Sequence, residues 1–238
     1  MPSPSEYGFR FPAEWEPHAA TWLTWPWPDG CSFPDNYDKI QKVYASLIRT
    51  HIPHESVRLN VWDAEMECRI RDTLSDWDIP LDNVVLHHHP AYEPWCRDHG
   101  PVYLKDNAGN KAIVNWGYNA WGGKYPPWER DNAIPGLVAE AQNLRLFEPD
   151  MILEGGSIET DGGGTLLTTE SCLLNPNRNP SLTRQQIEQR LREYLGITDI
   201  LWLGDGIVGD DTDGHIDDLA RFVSPDTIAT IVEEDPTD

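Results

Sequence analysis

VRLNVWDAEMECRIRDTLSDWDIPLDNVVL, residues 57–86, changes its apolar period twice. Val57, Leu59 and Val61 alternate with polar neighbours, as a strand requires. Met66, Ile70 and Leu74 then recur at helical spacing. Asp63, just before that helix, can accept the unpaired backbone N–H groups of its first turn. Val84–Leu86 restores a strand pattern. A strand, a helix and a strand within 30 residues are the unit of an α/β fold.

Working outward, the same alternation recurs. Ile40, Val43, Tyr44, Leu47 and Ile48 mark one face of a helix starting near Asn36. Leu137, Val138, Ala141 and Leu144 mark another, and Met151–Leu153 reads as a buried strand. Asp161-Gly162-Gly163-Gly164 between Ile158 and Leu166–Thr169 reads as a tight hairpin. Thr183 with Gln186 is a capping-box pair, Ile187, Leu191, Tyr194 and Leu195 are the apolar face that follows, and Gly196 suits the helix end. Strands are expected at Ile200–Leu203, Leu219–Val223 and Thr227–Val232. No linker or low-complexity tract interrupts this alternation, so residues 1–238 are expected to form a single α/β domain of similar modules. The ending IVEEDPTD follows directly on a strand, and the expectation is a domain incomplete at its C-terminal side.

At 238 residues, with 39% hydrophobic content and 11 tryptophans, the chain can bury a substantial core. A formal charge of −22 opposes sequence-independent binding to nucleic acid and suits a cationic ligand. The start, MPSPSEYGFRFPAEWEP, lacks the basic and apolar regions of a secretory signal, and no run has the length to span a bilayer. Cys31, Cys68, Cys96 and Cys172 are scattered without CxxC spacing, as expected of reduced thiols in the cytoplasm.

Three segments combine carboxylates with glycine. Pro94-Trp95-Cys96-Arg97-Asp98-His99-Gly100-Pro101, expected on a loop or strand end, places one carboxylate beside Trp and Gly-Pro. Leu153-Glu154-Gly155-Gly156 ends an apolar run, where glycine admits close approach; alone it reads as a turn with a solvated Glu. Gly209-Asp210-Asp211-Thr212-Asp213-Gly214-His215-Ile216-Asp217-Asp218 sets a histidine among carboxylates, an arrangement suited to proton transfer. An EF-hand reading of this last segment fails, because the loop would start at Gly209 and end at Ala220. His215-Ile216-Asp217 stays open as part of a transition-metal site, a reading that predicts loss of activity with a chelator. His87-His88-His89 alternate faces on a strand and do not converge. Trp116, Trp121 and Trp128, with their neighbouring glycines, line a pocket or fill core and loop. Neither GxSxG nor a phosphate-binding GK[ST] loop occurs.

Taken in order, these segments resemble the agmatine deiminase branch of the bacterial-type peptidyl-arginine deiminase family. Glu14-Trp15-Glu16-Pro17-His18 and Thr21-Trp22-Leu23-Thr24-Trp25-Pro26 are similar to the family's opening. Pro94–Pro101 resembles its WxRDxGP segment, Leu153–Ile158 its EGG segment and Gly209–Asp217 its GDxTDGHID segment. The resemblance implies a pentein-type α/β propeller of repeated ββαβ-like modules, the last part of the fan missing from this chain. It also implies hydrolytic deimination of agmatine to N-carbamoylputrescine and ammonia through a covalent cysteine intermediate. By that resemblance Asp98 and Asp217 clamp the guanidinium, His215 transfers protons, and Glu154 orients either His215 or the guanidinium. Trp95 supplies a wall, Asp211 holds the far amino group and Asp213 supports the loop. The family's nucleophilic cysteine lies in a glycine-rich C-terminal segment, so the chain as it stands is expected to be inactive. No metal or organic cofactor is implied; a homo-oligomer is compatible. Peptidyl-arginine deimination and a noncatalytic guanidine-binding module are the alternatives.

Overall fold

The computed structural model describes residues 2–234; the final four residues of the IVEEDPTD ending lie outside the described residues. The stretch at 57–86 folds as its periods require, inside a parallel sheet. Its elements are β1 (Ala20–Thr24), α1 (Tyr37–His51), β2 (Ser56–Val61), α2 (Ala64–Asp76) and β3 (Val84–His88), with strand order β1-β2-β3. β2 is central, paired in parallel with β1 and β3, and buries Val57, Leu59 and Val61. The Asp63 side chain accepts the Met66 N–H at 2.8 Å, and Met66, Ile70 and Leu74 face the sheet. In α1 the inward stripe is Tyr44, Ala45 and Ile48, while Val43 and Leu47 are exposed. The expected face is thus rotated. Small Ala45 lets the helix approach the sheet on its own side, which turns Val43 and Leu47 outward.

After β3 the chain makes one helical turn, α3 (Cys96–His99), where a loop or strand end was expected. The Trp95 carbonyl accepts the N–H groups of Asp98 and His99, closing that turn. Two units of the pattern strand–strand–helix–strand follow. The first has β4 (Val102–Lys105) antiparallel to β5 (Lys111–Val114), then α4 (Ala120–Gly123), α5 (Glu129–Gln142) and β6 (Arg145–Phe147), parallel to β5. The second has β7 (Glu159–Thr160) antiparallel to β8 (Thr165–Thr169), then α6 (Glu170–Leu173), α7 (Arg184–Leu195) and β9 (Asp199–Leu203), parallel to β8. β10 (Ala220–Ser224) and β11 (Thr227–Thr230) form a further antiparallel pair.

Local chemistry explains the boundaries. Asp161 Oδ1 accepts N–H groups of Gly163 and Thr165, and Gly162 and Gly164 take positive φ in that hairpin. Thr183 and Gln186 form the reciprocal cap of α7, and Gly196 ends it at φ 69°. Leu144 lies just beyond α5, which stops at Asn143 in the left-handed region. Met151–Leu153 is not a strand. Its one bridge is Ile152 to Gly117, because the chain on that side turns away into α4.

The largest core joins the two strand–strand–helix–strand units, with Leu104, Val114, Leu153, Leu166 and Leu191 buried in it. This shared core fixes the strand ends relative to each other. On one side it brings together α3, the turn Gly155–Ser157 and the turn Ile216–Asp218. Among the described residues no helix is long and apolar enough to cross a membrane.

Candidate functional site

Three segments meet where a side chain is missing. A Cβ on Gly156 would lie 2.5 Å from His215 Nδ1, 2.7 Å from Asp98 Oδ1 and 2.9 Å from Asp217 Oδ2. A Cβ on Gly155 would lie 2.1 Å from the Arg97 carbonyl oxygen. The glycine pair after Glu154 therefore permits the α3 turn and the His215 loop to close onto one point. The Gly156 N–H donates to Asp98 Oδ1 at 3.1 Å and the Trp121 indole N–H to Asp98 Oδ2 at 3.2 Å.

His215 sits inside a ring of carboxylates. Its Nδ1 is 3.5 Å from Asp98 Oδ1 and 3.9 Å from Asp217 Oδ1, and its Nε2 is 4.0 Å from Glu154 Oε2. Asp98, Glu154, His215 and Asp217 are thus brought together from three separate segments. Asp210 holds the loop from below, accepting the N–H groups of Thr212, Gly214 and His215. Thr169 donates to the Gly214 carbonyl at 2.5 Å, tying the same loop to the end of β8.

Asp213 and Asp211 lie apart from this ring. Asp213 bonds Lys124 at 2.7 Å, Asn177 at 3.0 Å and Arg178 at 2.5 Å, which hold its carboxyl down at about 2 despite burial. Asp211 accepts from the Tyr125 hydroxyl through its carboxylate and from Lys124 through its backbone carbonyl. Trp95 is 43% exposed at the mouth; its indole N–H donates to Ser32 Oγ at 2.7 Å, and its ring meets Trp121 edge-on. Of the Trp-rich stretch, Trp121 reaches the site, Trp128 packs behind it and Trp116 belongs to the main core. The three histidines lie outside the ring: His88 pairs with Glu67, His89 bonds Asn60, and His87 packs its ring on Trp22 at 4.8 Å.

Arg178 was not legible as a site residue. Its guanidinium is fully buried and donates to Glu154 Oε1 at 2.8 Å, to Asp213 and to the Thr212 carbonyl, so it joins two of the three segments. The available signal was an arginine in Asn175-Pro176-Asn177-Arg178-Asn179-Pro180, a stretch too rich in Asn and Pro to continue a helix. Arg97 is a second omission. It points at Asp217 (3.6 Å) and Glu159 (3.5 Å) and pairs with Glu14.

Burial dominates the electrostatics. It pushes the Asp98 carboxyl up to about 7, with Asp217 and Glu154 adding to the rise. It also raises Glu154 against the opposing pull of Arg178, and Asp217 against that of Arg97. Nearby carboxylates ordinarily lift an imidazole. Here burial, then Arg178, lowers His215 to about 3, with Asp210 pulling the other way. Burial thus favours the uncharged form of both Asp98 and His215. The ring can accept the N–H groups of a planar cation on several carboxylate oxygens while the imidazole stands ready to move a proton.

The sequence model of the family described as Porphyromonas-type peptidyl-arginine deiminase matches residues 10–238. The chain belongs to this family. It is 38% identical to the agmatine deiminase of Pseudomonas aeruginosa over 245 residues, covering 99% of this chain and 64% of that protein. With the agmatine deiminase of Stutzerimonas stutzeri it shares 39% identity over 242 residues, with the same coverage of each. Among solved structures, the agmatine deiminase of Enterococcus faecalis superposes with a TM-score of 0.90 at 34% identity, covering 100% of this chain and 64% of that one. C. jejuni agmatine deiminase with substrate bound superposes with a TM-score of 0.86 at 32% identity, covering 97% and 66%. The chain thus spans 64% of the length of the P. aeruginosa relative.

Proposed function

We propose that this chain forms the guanidinium-binding part of an agmatine deiminase, folded as a pentein-type fan of ββαβ-like modules. The observation that carries the reading is the ring of Asp98, Glu154 and Asp217 about His215, closed over a glycine. A guanidinium is planar, permanently charged and forked, and so fits paired carboxylates better than any ammonium does. The repeated strand–strand–helix–strand units support the fan, and the likeness to agmatine deiminases supports the substrate.

On this reading Asp98 and Asp217 clamp the guanidinium. The attacking thiol passes its proton to neutral His215, the thiolate adds to the central carbon, and ammonia leaves with that proton from His215. Water then attacks the covalent amidino intermediate, losing a proton to His215, and the thiolate departs to leave N-carbamoylputrescine. Glu154, fixed by Arg178 through Oε1, stands with its other oxygen 4.0 Å from His215 Nε2, placed to orient either the imidazole or the guanidinium. Trp95 walls the mouth, Asp211 takes the far amino group beside Tyr125, and Asp213 anchors the loop through Arg178 and Lys124.

None of the four cysteines suits the attacking role. Burial pushes the thiols of Cys31 and Cys96 up to about 11 and raises Cys172 further, while Cys68 is exposed on α2. Residues 1–238 alone should therefore bind agmatine without converting it.

Calorimetric titration tests the binding half, and ammonia release from agmatine by the protein with and without a supplied longer chain tests the rest. Binding of agmatine abolished by Asp217→Asn is expected. Citrulline formation on arginine peptides, with agmatine ignored, would sink the substrate assignment.

A further inference from the structure

Behind His215, on the side away from Asp217, Cys172 of α6 joins Glu154 and the imidazole. One ligand atom from each of these three residues lies within 4.8 Å of those of the other two. Glu154 Oε2 and His215 Nε2 are both buried, face one another at 4.0 Å and have no hydrogen-bond partner. Two orphaned polar atoms beside a buried sulfur need explaining, since such atoms are ordinarily satisfied.

We propose that Glu154, Cys172 and His215 form a capture site for a borderline-soft divalent cation of the zinc type, and that occupancy disables His215. A thiolate, an imidazole and a carboxylate make a donor set that selects such an ion over magnesium or calcium. Metal–ligand bonds of about 2.0–2.3 Å draw the donors closer than they now stand. The contraction required is on the order of 1 Å.

The outer partners such a site needs are already in place. Arg178 Nε donates to Glu154 Oε1 at 2.8 Å, leaving Oε2 to the ion. Asp98 Oδ1 stands 3.5 Å from His215 Nδ1, within reach of the carboxylate–histidine hydrogen bond that would turn the far ring nitrogen toward a metal. Asp213, bonded to Arg178 at 2.5 Å, offsets the charge that Arg178 adds. The ion displaces the thiol proton of Cys172 as it binds. A coordinated Nε2 has no lone pair left for proton transfer. This last consequence rests on the role of His215 proposed above, whereas binding does not.

The test is titration of the metal-free protein with Co²⁺, read by the near-ultraviolet thiolate-to-cobalt charge-transfer band. A saturable band is expected, erased by Zn²⁺ and untouched by Mg²⁺. Cys172→Ser removes the band, while Cys31→Ser, Cys68→Ser and Cys96→Ser leave it. Glu154→Gln keeps the band and shifts its titration midpoint to higher Co²⁺ concentration. If circular dichroism shows that Cys172→Ser does not fold, Glu154→Gln with the three other cysteine variants decides. Absence of the band in the parent protein overturns the proposal, as does a band that follows another cysteine or an affinity indifferent to Glu154. In the full-length protein Zn²⁺ should abolish ammonia release reversibly by chelator. A site that fills without affecting turnover refutes the inhibitory half. A site that fills in a protein with no affinity for agmatine refutes the deiminase reading and leaves the metal site standing.

Discussion

Asp98→Asn probes the central electrostatic claim, that the ring holds its carboxylates against their solvation when no cation is bound. The Asp98 carboxyl moves from an ordinary 3.8 to about 7 in the fold. At about 1.4 kcal/mol per unit, ionising it is harder in the folded chain than in the unfolded one by on the order of 4 kcal/mol. The sign follows from proton counting. Between those two values the folded state keeps a proton that the unfolded state releases, so stability falls as pH rises toward about 7 and levels off above it. Asparagine does not ionise, and the variant lacks this fall. It does lose one acceptor, because its NH₂ must face either the Gly156 N–H or the Trp121 indole N–H. That mismatch costs about 1–3 kcal/mol at every pH.

The variant should accordingly be the less stable protein at about pH 4 and the more stable one at about pH 8, with a crossing between. Urea unfolding of both proteins across this range measures the difference directly. Between about pH 5 and pH 8 the parent should lose about 3 kcal/mol relative to the variant. A difference that is constant with pH, or that moves in the parent's favour as pH rises, refutes the claim that burial raises Asp98.

The other expectations use the same geometry. A guanidinium favours ionised Asp98, so calorimetry should show agmatine affinity falling about tenfold per unit below about pH 7 and flat above it. Arg178→Met strips a buried carboxylate of its partner and should destabilise by about 3–5 kcal/mol in denaturant melts, more than any exposed pair such as Arg69 with Glu65. Gly156→Ala puts a methyl against His215, Asp98 and Asp217; displacing them by about 1 Å should cost about 100-fold in turnover of the full-length protein. Leu191→Ala, deep in the shared core, should cost about 2–5 kcal/mol in thermal or urea unfolding and leave the pH dependence unchanged.

How much of this was legible follows from how each feature is encoded. Elements whose signal is a local period or cap were readable: β2, α2, the Asp161–Gly164 hairpin and the Thr183 box all appear where the residues place them. The failures are where a neighbour decides. Met151–Leu153 has the apolar run of a strand but only Gly117 beside it, and a strand needs a continuous partner. Val43 and Leu47 fit a helical stripe, yet the small Ala45 sets which side of α1 approaches the sheet. At the site the carboxylates and His215 stood out because charge beside glycine is unusual in a core. Their convergence was not encoded locally at all. Glu154-Gly155-Gly156 looks like a solvated turn until the Arg97 carbonyl and His215 are seen pressing on its glycines from elements 58 and 59 residues away. The same reasoning explains Arg178. A buried arginine is tolerable only when carboxylates meet it, and those carboxylates lie 24 and 35 residues distant. Its sequence neighbours carry no trace of them. The residues proposed to perform chemistry were therefore visible by type, whereas the residues that hold them in place were visible only once the chain had closed.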